Sequence, residues 1–329
     1  MNRAKRAVMA AAAFLITTLF ATLPASAECQ LQRVALLDAK TDRGGAFIIQ
    51  MGIAGKEAMM ALDTGSTVSW LSEKFASNVP GSRGRTTYQY GFYGRDATGA
   101  IMKDVMKVKS FRIGGLEIDQ PAHFMIAGDE SSRVIDGVAS DGILGDNFIR
   151  NFDLELDPAG GKVGFYVHHE CSEKAPVHWS RQWTEIPIQK TDPCRREKDR
   201  RLCEETTTWT TDHILIDVTL DGKSVLALVD TGADSSVLDI DTAERTFGRK
   251  PSKGETANEV FVGISGESMK AHRIGFKTLS FSGINVQDPQ FLITKIYHPS
   301  ARMIIGMDKL RFLHLYFAFE QDKIYATPR

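Results

Sequence analysis

One segment of this chain is written twice, and that repetition limits what the chain can fold into. FIIQMGIAGKEAMMALDTGS, Phe47 to Ser66, lines up with ILIDVTLDGKSVLALVDTGA, Ile214 to Ala233. Gly55-Lys56 answers Gly222-Lys223, and Asp63 answers Asp230 at a 167-residue offset. Phe124-Met125-Ile126 answers Phe291-Leu292-Ile293 at the same offset, and Arg112-Ile113-Gly114 resembles Arg273-Ile274-Gly275 at a slightly shorter one. Ile143-Leu144-Gly145 then answers Ile304-Ile305-Gly306. Both copies end in strand-like segments, LELDPAGGKVGFY and LYFAFEQDKIY. An internal repeat of this length means two similar units on one chain.

The local pattern is β. Runs of five to eight apolar and β-branched residues are broken by Gly, Asp or Asn. The AGK and DGK tripeptides each sit between two such runs and read as hairpin turns. Long amphipathic helix patterns are scarce, and short helices are expected near Asn147–Asn151 and Asp241–Phe247. The expected fold class is therefore all-β, with two similar β-barrel-like lobes, 28–180 and 181–329, and a few short helices. Between them, Asp192 to Glu205 (DPCRREKDRRLCEE) is charged and apolar-poor, and reads as a solvated connector rather than a substrate-recruiting loop.

The first residues read as a leader. Arg3, Lys5 and Arg6 are followed by the mostly apolar Val8 to Leu23 and by Ala25-Ser26-Ala27, a small-residue cleavage site. Cleavage after Ala27 is expected, with residues 1–27 a signal peptide and the product exported, periplasmic or secreted. An uncleaved anchor is the competing reading, but the apolar run is short for a membrane span. Glu28 stands before Cys29 where a lipoprotein signal needs a small residue, so no lipid anchor is expected. Export permits disulfides. Of the three pairings open to Cys29, Cys171, Cys194 and Cys203, the favoured one joins Cys194 to Cys203 and Cys29 to Cys171. There is no C-x-x-C and no histidine spacing around these cysteines, so neither a metal nor a cofactor is expected. The net charge is −1, which argues against nucleic acid as a partner.

Two D-T-G motifs, each preceded by apolar strand residues and followed by an apolar-apolar-Gly segment, resemble the pepsin-like aspartic proteases. The resemblance covers nearly all of the chain beyond the leader. DTGSTVSW, with Trp70 seven residues after Asp63, looks like pepsin, whereas DTGADSSVLD looks like the retroviral protease subunit. The resemblance implies an aspartic endopeptidase, active as a monomer on peptide or unfolded protein, with Asp63 and Asp230 as the catalytic pair. Thr64 and Thr231 would cross-link the lobes through their hydroxyls. Gly65 and Gly232 would permit the tight turn and the approach of an N–H to the carboxylate. Ser66 would hydrogen-bond the outer oxygen of Asp63, and Ala233 could not do the same for Asp230. The resemblance also implies a covering hairpin, or flap, in Tyr88 to Ile101, with Tyr90 and Gly91 facing substrate and Trp70 donating to the tyrosine hydroxyl. The corresponding stretch of the second lobe, VFVGISGESMKA, has no Tyr, so a single working flap is expected. Two other readings stay open: each Asp as turn chemistry, and a noncatalytic peptide-binding or structural protein that kept the scaffold.

Overall fold

The computed structural model describes residues 30–41, 44–85, 94–95, 101–102, 104–128, 134–135, 138–169, 174–190, 213–251, 259–263 and 266–329. The leader, the four cysteines, the whole of the connector 192–205, and Tyr88, Tyr90, Gly91 and Tyr93 lie outside the described residues.

The architecture is all-β and bilobed, with a few short helices. In the first lobe Phe47–Ile53 pairs antiparallel with Lys56–Leu62, and in the second Leu215–Leu220 pairs antiparallel with Lys223–Val229. The turns are equivalent. Ala54 and Gly55 have φ of 50° and 79°, and Asp221 and Gly222 have 45° and 79°. Positive φ at both central residues gives a turn whose twist matches that of paired strands. The hairpins read from AGK and DGK are thus present.

Beyond each D-T-G a short strand follows, Trp70–Ser72 or Val237–Asp239. A later strand then inserts between it and the hairpin. Gly142–Leu144 runs parallel to Lys56–Leu62 and antiparallel to Trp70–Ser72. Met303–Ile305 does the same between Lys223–Val229 and Val237–Asp239. Each aspartate therefore sits on a loop whose two flanking strands are held apart and braced by a third.

The helices fall close to the expected places. The first spans Asp146–Ile149, starting one residue before the expected segment and ending two before it does. The second spans Ile240–Phe247, with Asp239 accepting from the Thr242 N–H at its start and Gly248 at φ 65° ending it. Glu73–Ala76 and Met307–Leu310 add two single turns that the sequence pattern did not reveal. At four residues each, they are too short to show a helical period.

The lobes join along one seam. Asp153–Asp157 of the first lobe pairs antiparallel with Leu313–Ala318 of the second, with Glu155 opposite Tyr316. Lys162–His169 and Gln30–Thr41 extend this sheet on one side, and Lys323–Pro328 and Thr184–Pro187 on the other. The strand-like segments that close the two repeats thus meet each other. One face buries Leu154, Leu156, Phe165, Leu315 and Phe317 in the main core. The other carries a buried polar cluster. Glu155 accepts the Tyr166 hydroxyl at 2.5 Å and lies 2.8 Å from His314 Nε2. Trp179 stacks on His314 with ring centroids 3.9 Å apart, and Tyr316 donates to Asp153 at 3.1 Å. Burial pushes the Glu155 carboxyl up, but the hydrogen bonds from His314 and Tyr166 outweigh it and hold the group below its ordinary value.

Glu155 is the acceptor shared by both lobes at this seam. Truncating it strands two buried polar groups, each costing about 1–3 kcal/mol. Glu155→Ala is expected to lower unfolding free energy by about 2–4 kcal/mol in chemical denaturation. Lys323→Ala, which breaks only the exposed pair with Glu185, is expected to change it by less than about 1 kcal/mol.

Candidate active site

The two D-T-G loops meet at the centre of the molecule and hold each other through their threonines. The Thr64 N–H donates to Thr231 Oγ1 at 3.1 Å, and the Thr231 N–H donates to Thr64 Oγ1 at 3.1 Å. Thr64 Oγ1 in turn donates to the Val229 carbonyl at 2.8 Å, and Thr231 Oγ1 donates to the Leu62 carbonyl at 2.9 Å. Both threonines are fully buried. Each hydroxyl is therefore donor and acceptor at once, and every bond crosses from one lobe to the other. The expected cross-link is present, and it also takes in the amides of the threonines themselves.

This grip sets the aspartates face to face. A Cβ placed on Gly65 would lie 2.3 Å from Asp230 Cγ, and one placed on Gly232 would lie 2.3 Å from Asp63 Cγ. Each carboxylate therefore rests over the glycine of the opposite lobe. Neither glycine has a positive φ. The reason for glycine here is closeness of approach, not the turn dihedral that the sequence suggested. Within its own lobe, Asp63 Oδ1 accepts from the Gly65 and Ser66 N–H groups at 2.9 and 3.0 Å. Asp230 Oδ1 accepts from the Gly232 and Ala233 N–H groups at 2.8 and 3.0 Å.

Those backbone donors alter two expectations. The Ser66 hydroxyl gives its one proton to the Val68 carbonyl at 2.7 Å rather than to Asp63. It also accepts the Trp70 indole N–H at 2.9 Å. Trp70 has a single N–H donor, and among the described residues it goes to Ser66; the tyrosine expected to receive it lies outside them. The Ser66/Ala233 difference thus leaves these main-chain contacts of the two carboxylates alike, because both are made by N–H groups that any residue but proline supplies. Tyr90 and Gly91 lie outside the described residues. Gly94–Arg95 pairs with Ile101–Met102 as a short hairpin within that region.

A second layer supports the loops and was missed in the sequence. Ser69 Oγ donates to Asn147 Oδ1 at 2.8 Å and accepts the Gly145 N–H at 3.0 Å. Ser236 Oγ donates to Asp308 Oδ1 at 2.6 Å and accepts the Gly306 N–H at 2.9 Å. A Cβ on Gly145 would meet the Val68 carbonyl oxygen at 2.6 Å, and one on Gly306 the Ala233 carbonyl oxygen at 2.6 Å. The apolar-apolar-Gly segments therefore press directly on the backs of the aspartate loops. The signal was available: Ser69 and Ser236 share the 167-residue offset, and Asn147 and Asp308 each stand two residues after the glycine. Among the described residues no group of three or more His, Cys, Asp or Glu is placed to hold a metal ion.

Near the second loop two imidazoles pack together. The rings of His213 and His298 lie 4.3 Å apart, and His298 Nδ1 accepts the Ser300 and Ala301 N–H groups. His213 Nδ1 and His298 Nε2 are shut off from solvent without a hydrogen-bond partner among the described residues. Burial, helped by Arg150, pushes His213 down to about 4. Burial, helped by His213 and Arg302, pushes His298 down to about 2.

Two outcomes follow from these contacts. Thr231→Val removes the donor to Leu62 and the acceptor for Thr64, both buried, and is expected to cost about 2–4 kcal/mol in equilibrium unfolding. The histidines set an acid limit. Their pKa values are lowered in the fold, so the unfolded chain takes up protons that the folded one refuses. Stability is expected to fall as the pH drops below about 6.5, most steeply on the way to 4. His213→Phe should flatten this slope in thermal unfolding at pH 7, 5.5 and 4.5.

The same two regions carry the likeness to known proteins. The family model described as aspartyl protease matches residues 49–148 and 216–309, one D-T-G in each stretch and more than half of the chain together. A search of curated proteins found no match. Among solved structures, the crystal structure of an aspartic proteinase from Irpex lacteus is 12% identical. That match covers 89% of this chain and 97% of the other, with a TM-score of 0.49. With both halves of the family pattern present and their aspartates brought to one place, this chain belongs to the aspartyl protease family.

Proposed function

We propose that the protein is an aspartic endopeptidase in which Asp63 and Asp230 together activate a water molecule. The observation that carries this reading is the reciprocal seating of each carboxylate on the opposite glycine. Two carboxylates held so close do not both ionise cheaply, so one proton is shared, a behaviour for which aspartic proteases are the usual illustration. The apparent pKa values then belong to the pair.

The ionised member takes a proton from the water as it attacks the peptide carbonyl. The protonated member donates to the carbonyl oxygen, and a proton then passes to the leaving amine. The inner-loop amides of Gly65, Ser66, Gly232 and Ala233 fix one oxygen of each carboxylate. The threonine grip keeps the pair in a common plane. Because the two half-sites come from one chain, a monomer suffices.

The substrate class is peptide or unfolded protein. Tyr90, Gly91 and Trp70 are assigned to its covering and positioning, Trp70 acting through Ser66. The charged start, apolar run and Ala25-Ser26-Ala27 support export to a periplasmic or extracellular setting. That setting would allow the Cys194–Cys203 and Cys29–Cys171 pairs.

The purified protein is expected to cleave an unfolded protein somewhere between acidic and neutral pH. Asp63→Asn and Asp230→Asn should each lower the rate at least about a thousandfold, and the double substitution should cost little more, because the pair acts as a unit. Equal cleavage by wild type and both variants, or none by any, would favour a noncatalytic peptide-binding protein on this scaffold.

A further inference from the structure

The one buried lysine or arginine among the described residues lies behind the second aspartate loop. It is Lys309, in the single turn Met307–Leu310. A lysine is almost never buried unless it is paired. The Lys309 ammonium donates to Asp308 Oδ2 at 2.7 Å and to the Gln290 carbonyl at 2.9 Å, and lies 4.6 Å from the centre of the Phe291 ring.

The other oxygen of Asp308 serves the loop that carries Asp230. Oδ1 accepts the Ser236 N–H at 3.0 Å and the Ser236 hydroxyl at 2.6 Å, and Ser236 Oγ accepts the Gly306 N–H at 2.9 Å. The Asp308 N–H donates to the Asp234 carbonyl at 3.1 Å, and the Asp230 N–H donates to the Ile305 carbonyl at 3.0 Å. Asp308 is thus one layer from Asp230 and links Lys309 to its loop. The first lobe builds the same brace without this charge. Asn147 stands at the Asp308 position and accepts from Ser69, and Phe148 stands at the Lys309 position. Where the first lobe does bury a carboxylate beside its loop, at Asp146, Arg150 pairs with it at 3.5 Å. Each buried carboxylate in this layer is therefore matched by a cation. Of the remaining charged groups around the second loop, Asp63 faces Gly232, Asp234 lies against Gly44 and Arg311 against Gly45. His213 is held uncharged.

We propose that Lys309 is a positioning residue for the active pair: it holds Asp308 on Ser236 and cancels the charge that Asp308 would otherwise add behind Asp230. This rests on the proteolytic reading of the site. An uncompensated carboxylate in this layer would disfavour ionisation of a pair that shares one proton, and an uncompensated ammonium would favour it.

The signs give the test. Lys309→Met keeps hydrocarbon over Phe291 and leaves Asp308 unbalanced, with two Ser236 donors still favouring its ionised form. The pH–rate profile should move up by about half a unit to one unit. Asp308→Asn keeps an acceptor for Ser236, as Asn147 does for Ser69, and leaves Lys309 unbalanced, so the profile should move down by a similar amount. The double substitution restores a neutral brace and should return the profile to its wild-type position. Lys309→Arg keeps the charge and should not move it. A brace with a structural role alone would lower kcat in the variants without opposite shifts. The same shifts should appear without turnover in a carbon-13 NMR titration of labelled aspartate carboxyls, the pair being assigned from Asp63→Asn and Asp230→Asn. If wild type cleaves nothing, the proteolytic reading fails and the titration alone decides the role of Lys309. If Lys309→Met does not fold, Asp308→Asn carries the test. A pair that titrates at its wild-type position in every folded single variant, or that moves the same way in both, would overturn the proposal.

Discussion

Four hydrogen bonds between two threonines and two strand-end carbonyls hold this molecule's centre. Thr64 and Thr231 are each donor to one opposite carbonyl and acceptor from one opposite amide. Such a pattern satisfies every group only if both loops are present in mirror roles, and a buried hydroxyl left unpaired is costly. The close approach of the aspartates follows from it, because the same loops that carry the threonines carry Asp63-Gly65 and Asp230-Gly232. Once the loops are locked at this spacing, a side chain at either glycine has no room. The seam between Asp153–Asp157 and Leu313–Ala318 fixes the lobes at a second point, so the grip does not have to orient them alone.

On this symmetric frame the chain places unlike edges. The inner loops make the same main-chain contacts to both carboxylates, although Ser66 and Ala233 differ. The departures from symmetry lie one layer out. Trp70 donates to Ser66 in the first lobe, whereas its counterpart Val237 is buried in an all-apolar cluster in the second. The paired histidines near the second loop add a further constraint, since both imidazoles are held uncharged and neither tolerates acid in the folded state.

Much of this is legible in the sequence, and the reason is the repeat. Asp63, Asp230, the threonines and the glycines show themselves because they recur at one offset, and the AGK and DGK turns show themselves because hairpin turns demand residues that accept positive φ. The contact of Ser66 was misread because a hydroxyl has several acceptors within reach, and only geometry says which one receives its proton. The role of glycine at positions 65 and 232 is only half legible: a turn is local and visible, whereas a carboxylate from 165 or 169 residues away is not. The strand-like ends of both copies were visible, but their pairing with each other across the seam is a long-range choice that no local pattern encodes. The hairpin Glu259–Ala271 shows in the sequence as VFVGISGESMKA, while its place in the sheet follows from strand register, which needs the pairing of Phe291 with Ile274.

The central claim is that Asp63 and Asp230 form one site that binds the tetrahedral state of a peptide bond. Calorimetric titration with a peptide in which a secondary hydroxyl replaces the scissile carbonyl tests it most directly, because such a group mimics that state and binds more tightly than substrate. The expected result is one ligand per chain, with heat that depends on buffer because the pair's shared proton is redistributed, and with binding lost in either Asp63→Asn or Asp230→Asn. Binding that survives both substitutions, or that ignores the hydroxyl, would contradict the account.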